Sequence, residues 1–387
     1  VSSSRASDPE PQLYDVAIVG GGPAGIAAAL ALRQHAPNRS VVVLGGSDGA
    51  RRKLGETFPP GAQAILRSLG VWDAFQAENP MPAYGTCASW GSSTVNDNEF
   101  IFHPDRRGWH VNRARFDEIL GSEASRLGAF VCSDSVLTNA RVDAEESTLE
   151  FDGPGRTNSI RARVVIDASG RAARFAQFTG TRRTIEDRLV AISLSYEVFA
   201  DSRVYDTYTL VEAFADGWWY SAVQPDGHIT VAVFTDADIA RERRLKDVDC
   251  FCEALREAPH TRARVAFAKS VEMPVLRVAD SSRLDRVIGP NWLAAGDAAS
   301  SLDPLSSQGV MKALRQGTVA GFAALDHLNG DETALPKYEA LLQREYTEYL
   351  AVRRDYYRLE TRWAKAPFWS RRHGAIAVHG LTTQRVA

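Results

Sequence analysis

The chain predicts an α/β protein: a doubly wound, mostly parallel sheet, interrupted by an inserted antiparallel sheet and closed by C-terminal helices. Three observations carry that expectation. The apolar run Asp15–Val19 leads through a glycine cluster into an Ala/Leu-rich stretch and a second apolar run, Ser40–Leu44, which is the β-α-β opening of a sheet buried on both faces. The middle third changes character: Leu189–Phe199, Tyr208–Phe214, Trp218–Gln224 and His228–Phe234 are β-rich runs separated by turn signals at 215–217 and 225–227. The last third is helical, with one long stretch over 306–328 and another over Tyr338–Arg362 that is dense in tyrosine.

The elements follow in order. The first helix spans Ile26–Arg33 and stops near Pro37-Asn38, where proline cannot continue the hydrogen-bond ladder. Arg163–Asp167 and Trp292–Ala295 are further buried strands of the first kind. In the meander, Tyr208, Leu210, Glu212 and Phe214 share one face. The expected organisation is one discontinuous domain from residues 13–80, 106–185 and 286–335, a second from 81–105 and 186–285, and a C-terminal helical region over 336–387.

Composition narrows the function. With 387 residues, 44% hydrophobic and 24% charged, the chain has room for two or three domains with real cores. A net charge of −3 supplies no global field for nucleic acid or anionic membrane, so neither is expected as a partner. Cys87, Cys132, Cys250 and Cys252 are too few for a disulfide framework, and no Cys or His spacing reads as a metal site. Reduced thiols and a polar stretch over 1–12 without signal-peptide pattern point to the cytoplasm.

Three motifs carry chemistry. In Gly20-x-Gly22-x-x-Gly25, Gly20 permits the tight turn, Gly22 admits a diphosphate to the backbone and Gly25 lets the helix pack on the strand, with Ala24 in its first turn. Between a buried strand and an Ala-rich helix this is a dinucleotide signature. The acid that binds the ribose belongs at the end of the second strand, but Gly45 stands there, so that contact falls to Asp48 or to backbone groups. The second motif is Asp167-Ala-Ser-Gly170-Arg171. The third is Gly296-Asp297-Ala298-Ala299, continuing through Asp303-Pro304 and Ser306-Ser-Gln308-Gly309-Val310. It sets a carboxylate at a strand's C-terminal edge and then opens a helix whose first N–H groups are free.

Together these motifs resemble the FAD-dependent monooxygenases of the para-hydroxybenzoate hydroxylase fold. Gly55-Glu56-Thr57-Phe58-Pro59-Pro60 and the aromatic, Arg-rich tail are closer to the flavin-dependent halogenases. Within that group the chain is most similar to flavoproteins that build tryptophylquinone cofactors in partner proteins. The resemblance implies a Rossmann-like FAD-binding domain with an inserted β-sheet substrate domain. It implies that Asp297 binds the ribityl–diphosphate region of FAD, that Pro304 lies beside the flavin ring, and that Gln308, Gly309 and Val310 offer backbone N–H groups to its pyrimidine edge. Arg113, in His110-Val-Asn-Arg113, matches an arginine that reaches the cofactor. Arg52 and Lys53 would contact phosphate or form a solvated cluster, and Val136 would meet the adenine.

Halogenases of this kind also need a lysine between cofactor and substrate and a W-x-W-x-I-P stretch. Here no lysine occurs from 54 to 245, and the matching stretch reads Trp218-Trp219-Tyr220-Ser221-Ala222-Val223. The implied activity is therefore hydroxylation of an electron-rich aromatic ring through a flavin C4a-hydroperoxide, with O2 as co-substrate. The implied substrate is a protein or peptide carrying a tryptophan, met by an Arg-rich tail suited to an acidic client. A halogenase and a non-catalytic FAD-bearing assembly factor are the alternatives. Electrons would come from NAD(P)H or a separate reductase, since no second G-x-G-x-x-G is present. Trp219 and its neighbours are the candidate aromatic wall, Glu212 the candidate proton acceptor, and His110 another.

Overall fold

The computed structural model describes residues 11–45, 56–143, 145–153, 156–198, 207–270 and 272–374. Strand Gln12–Val19 leads into helix Pro23–His35 and strand Val41–Leu44. All four residues of the second strand are buried, which is why it does not alternate. The first strand pairs in parallel with Val41–Leu44 on one side and with Arg156–Asp167 on the other. Arg156–Asp167 carries Trp292–Ala294 in parallel, and Val41–Leu44 carries Phe130–Cys132. Val19, Leu44, Asp167 and Ala294 therefore end at one edge of the sheet.

Backbone packs on backbone at that edge. Gly20 has φ +120°, and a Cβ on it would fall 2.2 Å from the Ala168 carbonyl oxygen. A Cβ on Gly25 would fall 1.9 Å from the Gly20 carbonyl oxygen. The long helix Gly309–Leu328 crosses the first helix just as closely, where a Cβ on Gly317 would lie 2.0 Å from the Ala24 carbonyl oxygen. The buried Ala27, Ala28, Ala29 and Ala31 of the first helix permit this approach.

The four middle runs form an antiparallel sheet, but only Tyr208–Phe214, Gly217–Val223 and His228–Asp236 follow one another as the expected meander; Leu189–Val198 pairs with His228–Asp236 at its far side instead of with the next strand in sequence. One strand joins it in parallel: Gly85–Ser89 lies beside Tyr208–Phe214, with Gly85 opposite Tyr208. A Cβ on Gly85 would meet the tyrosine ring at 2.3 Å. One face of the meander packs on helices between 237 and 264, with Trp219, Phe214 and Phe251 at its centre. The opposite face is covered at one end by the C-terminal segment, where Trp218, Phe234, Tyr357, Phe368 and Trp369 pack together.

Three expectations are corrected. Met81–Ala83 does not belong with the meander; it pairs with Gly108–Val111, which also pairs with Glu56–Phe58, so the boundary falls between Ala83 and Gly85. The long helix begins at Gly309, not 306, because Asp303 caps a single turn over Pro304–Ser306 and Ser307 turns left-handed at φ 50°. Four of the C-terminal arginines are not part of a free basic face, while Arg354 and Arg358 stay exposed. Arg353 pairs with Asp187 and Asp303, Arg371 with Asp236 and Asp238, Arg372 with Asp236 and Arg362 with Glu360. No described helix is long and apolar enough to cross a membrane.

Gly317→Val forces side-chain atoms into the Ala24 carbonyl and separates the two helices. It is expected to destabilise the protein by about 1–3 kcal/mol, read as a lower urea midpoint, whereas the same change at exposed Gly330 would act only through its positive φ.

Candidate active site

A continuous cavity of about 1560 Å³ opens at the C-terminal edge of the parallel sheet and extends over the uncovered end of the meander. Pockets for drug-sized ligands span roughly 300–1,000 Å³, so this one has room for a dinucleotide and part of a second molecule. Gly20, Gly22, Ala24, Arg113, Val136, Asp297, Gly309 and Val310 all line it. Gly25 lies behind them as packing. Pro304 and Gln308 are exposed on the turn just before the helix and are not in the wall. Arg52 and Lys53, like Asp48, lie outside the described residues.

The backbone at the edge fits a dinucleotide. A Cβ on Gly22 would meet nothing within 4 Å, so this glycine faces the open cavity where a diphosphate would approach the first helix. A Cβ on Gly45 would fall 2.1 Å from the Gly21 nitrogen. The second strand thus ends against the glycine loop too tightly for any side chain, which explains the missing ribose acid. On the far wall, Gly309 and Val310 start a helix of 20 residues, whose first N–H groups have no partners in the helix.

Two charged clusters flank the cavity. Arg113 opens helix Arg113–Arg126 and is held between Glu56 (Nη1 to Oε1, 3.1 Å) and Asp117 (Nε to Oδ1, 3.0 Å). Burial pushes the Glu56 carboxyl above its ordinary range; Arg113 opposes this, while Asp117 and Asp297 add to it. The Glu56 side chain is nevertheless 41% accessible, because it faces the cavity. In the second cluster Lys312 Nζ donates to Asp297 Oδ1 at 3.1 Å. Burial alone would raise the Asp297 carboxyl, but Lys312, with Arg171 and Arg183, outweighs it and holds the carboxyl below its ordinary range.

None of the three residues expected to act in catalysis reaches the cavity wall. Glu212 accepts from the backbone N–H groups of His260 (3.2 Å) and Thr261 (2.7 Å) and from the Thr261 hydroxyl (2.7 Å). It anchors helix Pro259–Arg264 on the other face of the meander. Trp219 lies opposite Glu212 in the register and shares that face, so it sits in the helix-side core against Phe214 and Phe251. Trp218 points the other way, stacks on Phe234 at 3.9 Å and donates to the Tyr357 hydroxyl. The aromatic pair is core on both faces. His110 is fully buried, with Nε2 2.9 Å from the Thr207 carbonyl and Nδ1 2.9 Å from the Thr57 hydroxyl. The Thr57 hydroxyl lies 3.4 Å from that of Tyr220, which burial pushes up to about 12. His110 thus orients Thr57 from behind.

The residues that sequence reasoning left out are Glu56 and Lys312. Glu56 stands in the quoted GETFPP segment, and its strand pairs with Gly108–Val111, Thr57 opposite His110. Those two segments of sequence are one small sheet.

The pattern of the tryptophan halogenase family matches residues 86–386. LodB of Marinomonas mediterranea, named as an FAD-dependent oxidoreductase, is 28% identical over 374 residues, covering 94% of this chain and 98% of its own. The solved chondrochloren halogenase CndH superposes with a TM-score of 0.84 at 23% identity, over 94% of this chain and 86% of that one. QhpG, a peptidyl tryptophan dihydroxylase, superposes with a TM-score of 0.71 at 23% identity, over 96% and 81%. The cofactor of this chain is FAD, and the glycine edge, Asp297 and the helix start at Gly309 fit it.

Among the described residues no His or Cys lines the cavity, so acid precipitation should release all of the yellow colour into the supernatant. Gly22→Asp should abolish flavin absorbance, because its carboxylate enters the diphosphate site, and leave the apoprotein's melting curve in place, because the Cβ meets no protein atom.

Proposed function

The chain belongs to the tryptophan halogenase family of flavoproteins and is an FAD-dependent oxidoreductase; from that membership we propose that it is a monooxygenase that hydroxylates a tryptophan ring within a partner polypeptide. The observation that carries hydroxylation over halogenation is that, among the described residues, no lysine lines the cavity. Lys312 stands on the helix of the wall, but its ammonium is buried against Asp297 and the Ser300 carbonyl. It has no path to a substrate. The peptidyl substrate rests on the likeness to LodB and QhpG and on the breadth of the cavity. Its meander wall is built from Ser193, Ser195, Gln224 and Thr230, side chains that hydrogen-bond polypeptide backbone.

In this reading residues 13–80, 106–185 and 286–335 hold the cofactor, 84–105 and 186–285 present the substrate, and the described helices over 336–374 brace the two. Bound FAD, reduced by NAD(P)H or a reductase, supplies the activation of O2. Gly20, Gly22 and Ala24 receive the diphosphate, and Asp297 takes the ribityl chain. The helix start at Gly309 and Val310 favours negative charge on the group it faces. Glu56 replaces Glu212 as the proton acceptor. Arg113 engages its Oε1, and Oε2 receives the proton that the hydroxylated ring carbon loses on rearomatisation.

Oxidation of a tryptophan-bearing client peptide under ¹⁸O2 should add one labelled oxygen per turnover to the indole, read by intact mass. Free tryptophan and simple phenols should turn over poorly. A brominated product in bromide buffer would instead identify a halogenase, and flavin oxidation with no altered product an assembly factor. Glu56→Gln should lower kcat by about 10²–10⁴-fold while FAD stays bound. The base must be ionised, so wild-type rate falls as pH drops through the raised Glu56 pKa. That acid limb should lie above the ordinary glutamate range and disappear in the variant.

A further inference from the structure

Lysine is scarce in this chain: it occurs at six positions. Lys246, Lys269, Lys337 and Lys365 are exposed, and Lys53 lies outside the described residues. Lys312 alone among the described lysines is buried, its side chain 4% accessible. A buried ammonium carries a large desolvation cost unless it is paired. Lys312 is paired with Asp297 Oδ1 at 3.1 Å and also donates to the Ser300 carbonyl oxygen.

That pairing fixes one carboxylate from behind. Arg183 Nη2 donates to the backbone carbonyls of Asp297 (3.1 Å) and Ala298 (2.6 Å), so the turn is tied down by its main chain as well. The Asp297 side chain remains 39% accessible and lines the cavity. Lys312 sits one turn into the helix whose first residues, Gly309 and Val310, line the same cavity. Gly296 already packs beside Ala313 of this helix, and Lys312 adds a direct bond from the helix to the strand-end carboxylate itself. Burial lowers the Lys312 pKa, and the arginines nearby add to that, while Asp297 opposes it. Such a charge is held for what it does to Asp297.

We infer that Lys312 is a positioning residue for FAD binding, which aims the ionised Asp297 carboxylate at the cofactor and locks it to the helix start. The inference rests on the assignment of Asp297 to FAD made above. It is distinct from any lysine that relays a halogen, because the ammonium contacts Asp297 and not the substrate side of the cavity.

The experiment is a double-mutant cycle on the full chain, stripped of flavin and titrated with FAD by fluorescence quenching. The variants are Asp297→Asn, Lys312→Met and the pair. Lys312→Met should weaken FAD binding by about tenfold or more, the worth of a hydrogen bond between charged groups. In the Asp297→Asn background the same change should alter the dissociation constant by no more than about twofold, since neighbours that act as a unit are not additive. The apoprotein's melting temperature should stay unchanged or rise, because Met fills the volume and Asp297 keeps access to solvent. A merely structural lysine would lower the melting temperature and leave the affinity alone. Undiminished affinity in Lys312→Met, or a loss that adds in full to that of Asp297→Asn, overturns the inference. Undiminished affinity in Asp297→Asn itself overturns the underlying assignment of Asp297. If the Met variant does not fold, Lys312→Gln carries the same comparison: it keeps a donor without the charge, and wild-type affinity there also overturns the inference.

Discussion

The closeness of backbone to backbone at the edge of the parallel sheet governs the rest of this structure. Gly20, Gly45 and Gly317 each stand where an added Cβ would lie about 2 Å from a main-chain atom of another segment, and one on Gly25 would lie as close to the Gly20 carbonyl of its own loop. No side chain separates the glycine loop from the ends of its two neighbouring strands, or the first helix from the long one. Close-packed interiors tolerate little change in volume at such points. The positions of Gly22, Asp297 and Gly309 around the cavity follow from it, since all three ride on segments locked together by these contacts.

The parallel frame was legible because its signals are local. Unbroken apolar runs mark strands buried on both faces, and a glycine cluster between such a run and an Ala-rich helix has few other uses. The cavity-lining residues Gly22, Asp297, Gly309 and Val310 were legible for the same reason. The meander's strands were visible too, but not which of its faces looks into the cavity. Adjacent residues in a strand point to opposite sides, so Trp218 and Trp219 could not both line a pocket, and in the event each is buried in a different core. The choice depends on contacts far away in sequence. Glu212 is claimed by Thr261, 49 residues on, and the C-terminal arginines by Asp187 and Asp236, more than 100 residues back.

The same reasoning explains why Glu56 and Lys312 escaped notice. Glu56 gains its role when Glu56–Phe58 pairs with Gly108–Val111 and swings Arg113 against it. Lys312 reads, in sequence, as one polar position on an amphipathic helix. Only the crossing of that helix beneath the strand end at Asp297 turns it inward. Glu56 finds its partner in a different motif, and Lys312 finds its own 15 residues back across an irregular turn, so neither pairing shows as a pattern in the sequence.

The turn that starts the long helix has one further consequence. Asp303 accepts from Arg353 and Tyr357, and its N–H donates to Tyr349, partners that lie 46 to 54 residues downstream. A chain made from its N-terminus folds its early parts first. The glycine edge can therefore form while the ribosome is still at work, but Asp303 must wait for residues 349–357 to emerge before its buried carboxylate is satisfied. The two ends of the cofactor wall mature at different times. A nascent chain would complete its glycine loop before the turn at Asp303 is braced, so emergence of residues 349–357, not appearance of the nucleotide motif, sets the earliest moment at which that turn is held in place.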